Sequence, residues 1–271
     1  MGYRWVSFTT DYGTSDGFVA MCKGVLAQIA PEVRVIDVSH QVPPQRVRRG
    51  AAVLAQAVPW LPEAVHLAVV DPGVGTDRRG IAVLTGRGVL VGPDNGLLLP
   101  AADALGGATA AYALTEPAFQ LPEVSRTFHG RDVFAPVAAY LCRGVGAARL
   151  GPPVPLADLR RLPPPQVAVS PGRLRAEVLA VDSFGNGQRA ATADELAAAG
   201  LPRRVTIGTP AGGRPAVTGR TFADAEPGGL LVLADSAGHA AVAVNGGNAA
   251  AELGVTDGDA VTVDAVTVDT P

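Results

Sequence analysis

The chain has 271 residues, 48% hydrophobic and 17% charged, with a net charge of −3. That balance allows a substantial core in one large domain or two ordinary ones and excludes global disorder. The slight negative charge, with no basic run to track a phosphate backbone, argues against a nucleic-acid partner.

The first apolar run, Trp5 to Thr9, predicts a strand that ends at Thr10-Asp11-Tyr12-Gly13. Ser15 or Asp16 is placed to cap the next helix. In that helix Phe18, Cys22, Val25, Leu26 and Ile29 share one face, and Pro31 ends it. Val33 to Val38 reads as a short buried strand ending at Ser39-His40. A helix with Val47, Ala51, Leu54 and Val58 on one face follows Pro43-Pro44, and Val65 to Val70 is the next strand, stopping at Asp71. The order β-α-β-α-β predicts an α/β domain with a central, mainly parallel sheet flanked by helices.

After Asp71 the chain reads Pro72-Gly73-Val74-Gly75-Thr76-Asp77-Arg78-Arg79-Gly80. Ile81 to Thr85 and Val89 to Val91 predict paired strands joined through Gly86-Arg87-Gly88, and Pro93-Asp94-Asn95-Gly96 is a turn. Leu97 to Leu105 suits a helix and Ala110 to Leu114 a strand. Thr127 to Asp132 opens a helix with Val133, Val137, Tyr140 and Leu141 on one face, and Pro136 lies early enough to be tolerated or to kink it. Residues 1–150 thus form the N-terminal domain. Residues 151–172, rich in proline, read as a semi-rigid linker.

Residues 173–271 carry short β-prone segments: Leu174 to Val181, Arg204 to Ile207, Leu230 to Leu233, Ala240 to Val244 and Ala260 to Val268. Thr192 to Ala199 alone looks helical, with Thr192 and Glu195 forming a capping box. A smaller C-terminal β-barrel domain is expected. Cys22 and Cys142 lack CxxC or Cys/His spacing and read as small core residues, so neither a zinc site nor a redox pair is expected. No long apolar signal segment opens the chain, and no run approaches the about 18 apolar residues of a membrane span. A soluble, cytoplasmic protein without membrane attachment is the expectation.

In an open parallel sheet, ligands bind beyond the carboxyl ends of the strands. Asp11, Ser39-His40 and Asp71 arrive there from three predicted strands, which favours a pocket over three separate loop caps. His129 suits a base, a ligand or a hydrogen-bonding residue at a helix start. Arg131-Asp132 reads as a cap and surface pair. Phe184-Gly185-Asn186, after Asp182, offers an aromatic face and an amide to a flat heterocycle, or is an ordinary turn. Phosphate-loop, dinucleotide-fold, zinc-protease and nucleophile-elbow motifs are absent, and no Asp/His cluster has diagnostic metal spacing.

Several blocks together resemble the S-adenosyl-L-methionine (SAM) hydrolases that form adenosine, also described as SAM hydroxide adenosyltransferases. They are Thr10-Asp11-Tyr12-Gly13 with Asp16, Lys23-Gly24-Val25, Val69 to Gly75 with Arg78-Arg79, Pro93 to Leu97, Thr127 to Pro136, Asp182 with Phe184-Gly185-Asn186, and Thr221 to Asp224. The resemblance spans nearly the whole chain in order. It implies an α/β domain followed by a β-barrel, no cofactor, no metal, and a homotrimer with SAM bound between subunits. It implies catalytic roles for Asp71, Arg78 and His129. It implies substrate contacts from Asp11 on the ribose hydroxyls, from Asp182, Phe184 and Asn186 near the adenine or methionine end, and from Phe222 and Ser236. The related fluorinases carry Tyr, Tyr and Ser where this chain has Asp71, His129 and Gly130, which favours water over halide. Two stretches depart from the hydrolase pattern. Gly187-Gln188-Arg189-Ala190 replaces an expected Thr-Asn pair, and Ser236-Ala237-Gly238-His239 replaces an aromatic-Glu ending.

The expected reaction is hydrolysis of SAM to adenosine and L-methionine by in-line attack of water at ribose C5′. The sulfonium is already a good leaving group, so the task is to fix one water. Asp71 would accept its hydrogen bond or proton, Arg78 would stabilise hydroxide character, and His129 would orient the pair. A halide-using enzyme of the same fold, a SAM- or adenosine-binding protein without turnover, and a metal-dependent phosphoester hydrolase using Asp11, Asp71 and His129 are the rival readings.

Overall fold

The computed structural model describes residues 2–209 and 212–266. The chain divides into two compact units, Met1–Leu162 and Pro163–Pro271. The first contains β1 (Trp5–Thr10), α1 (Phe18–Ile29), β2 (Arg34–Ser39), α2 (Val47–Ala57), β3 (Ala64–Val69), β4 (Gly80–Thr85), β5 (Gly88–Pro93), α3 (Leu99–Ala104), β6 (Ala108–Ala113) and α4 (Ala135–Cys142). The strands form one sheet in the order β2-β1-β3-β5-β4-β6. The sheet is mixed: β2–β1, β1–β3 and β3–β5 are parallel, whereas β4 is antiparallel to β5 and to β6. The short Gly86-Arg87 connection between β4 and β5 forces that reversal, because only a crossover could make them parallel.

β3 is the spine of the unit, and all six of its residues are buried. Its alternating side chains feed two cores. Val65, Leu67 and Val69 pack with Phe8, Cys22, Leu26, Phe134 and Leu141 on the face covered by α1 and α4. Ala68 and Val70 pack with Leu54, Leu90, Leu97 and Leu98 on the face covered by α2 and α3. Both cysteines are free and buried. Val154 and Leu159, from the proline-rich stretch, belong to the second of these cores.

Three local expectations need correction. β2 is not a buried strand, since it lies at the sheet edge and every residue keeps some exposure. Neither Ser15 nor Asp16 caps α1, which starts after Gly17 without a side-chain cap. Phe18 is not on the buried face. It is 41% exposed and packs its ring on Tyr12 and Phe128 instead.

The helix opened by His129 begins as a π turn over Gly130–Phe134, where the Ala135 N–H reaches back to the Gly130 carbonyl, and becomes α-helical at Ala135. Pro136 helps explain the change. With no N–H, it leaves the Asp132 carbonyl unclaimed inside the helix, and the Leu121 N–H takes that carbonyl at 2.9 Å. Such one-turn π segments recur at functional sites.

The second unit contains β7 (Val167–Ser170), β8 (Arg173–Val181), β9 (Gly187–Thr192), α5 (Ala193–Ala198), β10 (Arg204–Thr209), β11 (Gly212–Thr218), β12 (Leu230–Ala234), β13 (His239–Val244), α6 (Ala249–Leu253) and β14 (Ala260–Ala265). Seven strands close a barrel, running β8-β9-β13-β12-β11-β10-β14 and back to β8, with β7 added beside β8. Leu174, Val178, Ile207, Val232, Val242, Val261 and Val263 fill its interior. The capping box of Thr192 and Glu195 forms as expected. The predicted last strand ends at Ala265, and Thr267 and Val268 lie outside the described residues.

Candidate functional site

Val70, beyond the end of β3, is fully buried, and Asp71 follows it at the carboxyl edge of the sheet. The loop then folds back on itself: the Val74 N–H bonds to the Asp71 carbonyl, and the Thr76 N–H and hydroxyl both bond to the Gly73 carbonyl. Gly75 has a φ of 78°, and a Cβ there would meet the Arg126 carbonyl oxygen at 2.3 Å, so glycine is required on both counts.

The loop returns Arg78 onto Asp71. Arg78 Nε donates to both carboxylate oxygens at 3.0 Å, and Nη2 donates to Oδ2 at 2.5 Å. The same Nη2 donates to His129 Nδ1 at 2.8 Å. The Phe134 ring lies 5.2 Å from the guanidinium carbon. The side chains are 12% and 6% exposed for Arg78 and Asp71, so this is a buried, forked ion pair rather than a surface contact. Arg79 faces the other way, toward Asp94 at 2.7 Å and the Asp158 carbonyl at 2.6 Å.

A guanidinium only donates, so His129 Nδ1 must be the unprotonated nitrogen and the ring hydrogen sits on Nε2. Burial first, then the Arg78 charge, lowers the His129 pKa, while Asp71, Asp132 and a backbone bond to Ser125 oppose them. The ring is therefore neutral near pH 7 and serves as an acceptor for Arg78. Asp132 is not half of a surface pair. It is fully buried, binds Arg131 Nε at 2.6 Å, and accepts the Ser125 N–H at 2.9 Å, which anchors the loop leading to His129.

Asp11, beyond β1, joins Asp71 and His129 in lining one cleft of about 300 Å³, with Tyr12, Gln45, Phe128 and Gly130 among the other walls. Burial raises the Asp11 pKa, the Gln45 N–H opposes this from 2.8 Å, and Asp71 adds to the rise. Gln45 is the one non-glycine residue with positive φ among the described residues, at 65°. That backbone turn directs its N–H at Asp11. His40 is buried and bonds Thr10 Oγ1 at 2.8 Å and Asp37 at 3.1 Å, while its carbonyl accepts the Gly13 N–H at 2.8 Å. It braces the Asp11 loop. Tyr12, Gln45 and Phe128 are cleft residues that sequence reasoning did not select. Tyr12 and Phe128 each adjoin a selected residue, whereas Gln45 carries no signal of its own.

In the second unit Asp182, Phe184 and Asn186 share one loop. The Asp182 carboxylate accepts the backbone N–H groups of Phe184 and Asn186 at 2.9 Å and the Asn186 amide at 2.8 Å. A Cβ on Gly185 would overlap Asn248, which packs from the start of α6. Phe184 is 77% and Phe222 49% exposed, and Ser236 lies exposed in the β12–β13 turn. Phe222 opens a separate short turn capped by Thr221 and Asp224. Arg189, in the stretch that departs from the expected pattern, is buried in the barrel and donates to the Ala176 and Val261 carbonyls. Among the described residues no group of three or more His, Cys, Asp or Glu is arranged to hold a metal ion.

A family model for the SAM hydroxide adenosyltransferase N-terminal domain matches residues 6–151, and one for the corresponding C-terminal domain matches residues 176–262. The chain belongs to the SAM hydroxide adenosyltransferase family. It is 61% identical over 261 residues to the (R)-S-adenosyl-L-methionine hydrolase of Salinispora arenicola, covering 96% of this chain and 98% of that one. The crystal structure of an uncharacterized conserved protein from Thermotoga maritima superposes with a TM-score of 0.89 at 34% identity, covering 96% and 99% of the two chains. A fluorinase of Actinopolyspora mzabensis is more distant, 30% identical over 222 residues, covering 72% of this chain and 74% of that one. In this SAM hydroxide adenosyltransferase family member the Asp71–Arg78–His129 group and Asp11 all fall within the matched N-terminal domain. The Phe184 and Phe222 loops fall within the matched C-terminal domain.

Proposed function

We propose that this protein hydrolyses SAM to adenosine and L-methionine. Water oxygen attacks ribose C5′ in line with the C5′–S bond. The C5′–O bond forms as C5′–S breaks, and the departing electron pair neutralises the sulfonium as the methionine thioether. The water gives up one proton, which leaves by way of Asp71. The observation that carries the reading is the buried Asp71–Arg78–His129 contact, whose Asp71 and His129 line a cleft that also holds Asp11. Asp71 offers the water an acceptor, and Arg78 lays a fixed positive charge beside the developing hydroxide. His129, neutral and bonded through Nδ1, sets the rotamer of Arg78. Asp11, raised in pKa yet held by the Gln45 N–H, suits the paired hydroxyls of a ribose.

Chromatography of the products from purified protein and SAM tests this. Adenosine and methionine in equal amounts are expected. In the presence of chloride or fluoride, 5′-halo-adenosine as the main product would overturn the reading, and so would intact SAM after prolonged incubation with stoichiometric protein. Both sulfonium epimers belong in the assay, because the Salinispora relative is named for the R form. We expect R to be the faster substrate.

We further propose a homotrimer in which a neighbouring subunit supplies Asp182, Phe184, Asn186, Phe222 and Ser236 to the bound SAM. Two exposed phenylalanines on separate barrel loops support this, since large exposed aromatic rings are costly unless they meet a partner or ligand. Light scattering should give about three times the 27.5 kDa chain mass, and a monomer mass would remove the shared-site arrangement.

A further inference from the structure

Tyr12 lines the same cleft as Asp11, Asp71 and His129. Its ring meets Phe128 edge-on at 5.6 Å between centroids and Phe18 at 6.0 Å, and those two rings meet each other at 5.2 Å. Its backbone N–H is held by Thr10 Oγ1 at 3.2 Å. The direction of the phenol is therefore fixed from both ends. Yet among the described residues its hydroxyl has no hydrogen-bond partner. Tyr12 is only partly buried and lines the cleft, so the partner its hydroxyl lacks within the protein can come from a molecule in that cleft.

Gly130 points to the same hydroxyl. It opens the π turn with no positive φ, so its backbone does not demand glycine. A glycine inside a helical segment also weakens it. The reason for glycine is room: a Cβ at Gly130 would stand 2.0 Å from the Tyr12 hydroxyl oxygen and 3.0 Å from Cζ. The residue next to His129 is kept bare to admit a hydroxyl that the described protein leaves unbonded.

Resting on the hydrolysis reading above, we propose that the Tyr12 hydroxyl binds the attacking water, accepting the O–H that Asp71 does not. A water has four hydrogen-bonding directions. Asp71 and Tyr12 take its two hydrogens, and Arg78 donates to one lone pair. The remaining lone pair points at C5′. Arg78 has donors to spare, because among the described residues only its Nε and Nη2 are engaged, by Asp71 and His129. Tyr12 transfers no proton in this scheme. Burial first, then the nearby carboxylates of Asp11 and Asp71, hold its pKa well above the usual phenol value, so it stays neutral throughout.

Tyr12→Phe keeps the ring and its aromatic contacts and deletes only the oxygen. Loss of one hydrogen bond to the reacting water is expected to lower kcat by about tenfold, with KM for SAM within about twofold. An unchanged kcat overturns the proposal. So does a raised KM at constant kcat, which would move the hydroxyl onto the substrate. A second pair of variants reads the packing separately. Gly130→Ala should be more impaired than Tyr12→Phe, and the double variant Tyr12→Phe/Gly130→Ala should recover activity relative to Gly130→Ala, because the new Cβ no longer meets the oxygen. If the double variant is no better than Gly130→Ala, the glycine does not serve the hydroxyl and the proposal falls. The wild type separates the two levels of inference. Adenosine from wild type and equally from Tyr12→Phe removes Tyr12 alone, whereas no adenosine from wild type removes the hydrolysis reading and this proposal with it.

Discussion

Replacing Arg78 by alanine is expected to lower kcat for adenosine formation by about a thousandfold, the scale seen when one preorganised donor to a developing oxyanion is deleted. Arg78 is the residue through which the other two act. It donates to both oxygens of Asp71 and, through Nη2, to His129 Nδ1. Without it a carboxylate with a 6% exposed side chain loses its counter-charge, and His129 loses the partner that fixes its ring. Arg78→Lys should recover only part of the rate. A lysine keeps the charge but has one nitrogen, which cannot reach both Asp71 and His129 in the fork geometry. Arg79→Ala is the internal control. Its guanidinium is engaged by Asp94 and the Asp158 carbonyl on the other side of the strand, so kcat should stay within about threefold while folding stability falls. Single-turnover rates with saturating SAM decide the matter. Arg78→Ala running at the wild-type rate would take the Asp71–Arg78–His129 group out of the mechanism.

The two arginines also mark where the sequence stops being informative. Period-two alternation says that Arg78 and Arg79 point to opposite faces, and they do. It does not say which one turns to Asp71. That choice is made by Asp94, delivered from the Pro93-Asp94-Asn95-Gly96 turn on the far face, and by His129, delivered from another element. β3 is legible because five buried apolar residues, interrupted only by His66 and bounded by turn residues, have few alternatives. β2, with Arg34 and Asp37 set among its valines and isoleucine, is less clear: it lies at the sheet edge and stays partly exposed, and edge position depends on strand order as well as on the strand itself. β9 and β11, with Gly187-Gln188-Arg189 and Gly212-Gly213-Arg214-Pro215, carry little β-propensity and exist because barrel closure pairs them. Gln45 is more opaque still. Nothing in Pro43-Pro44-Gln45-Arg46 asks for positive φ at a glutamine, and the conformation makes sense only once Asp11 is seen accepting its N–H. Tyr12 and Gly130 are far apart in the chain, so their fit had no local signature.

Asp71→Asn is the other change with a large expected effect, and it acts on rate and stability in ways that can be separated. The amide nearly matches the carboxylate in shape, but half of it is a donor facing donors. Arg78 Nε and Nη2 would retain a single acceptor oxygen, and the water would lose its anionic acceptor. A fall in kcat of about a hundred- to ten-thousandfold is expected for a lost general base. The guanidinium, 12% exposed, would also be left without its counter-ion, and stripping a buried pair of one partner costs about 3 kcal/mol. The melting temperature of Asp71→Asn should therefore drop. Arg78→Met in the Asp71→Asn background should raise it again, because the stranded charge is gone and an apolar chain of similar length sits against Phe134. The rates should behave differently. If the two residues act as one unit, the double variant will be only a few-fold slower than the slower single variant. Losses that multiply across the two sites would mean that Asp71 and Arg78 serve the water independently, and the contact between them would then be structural.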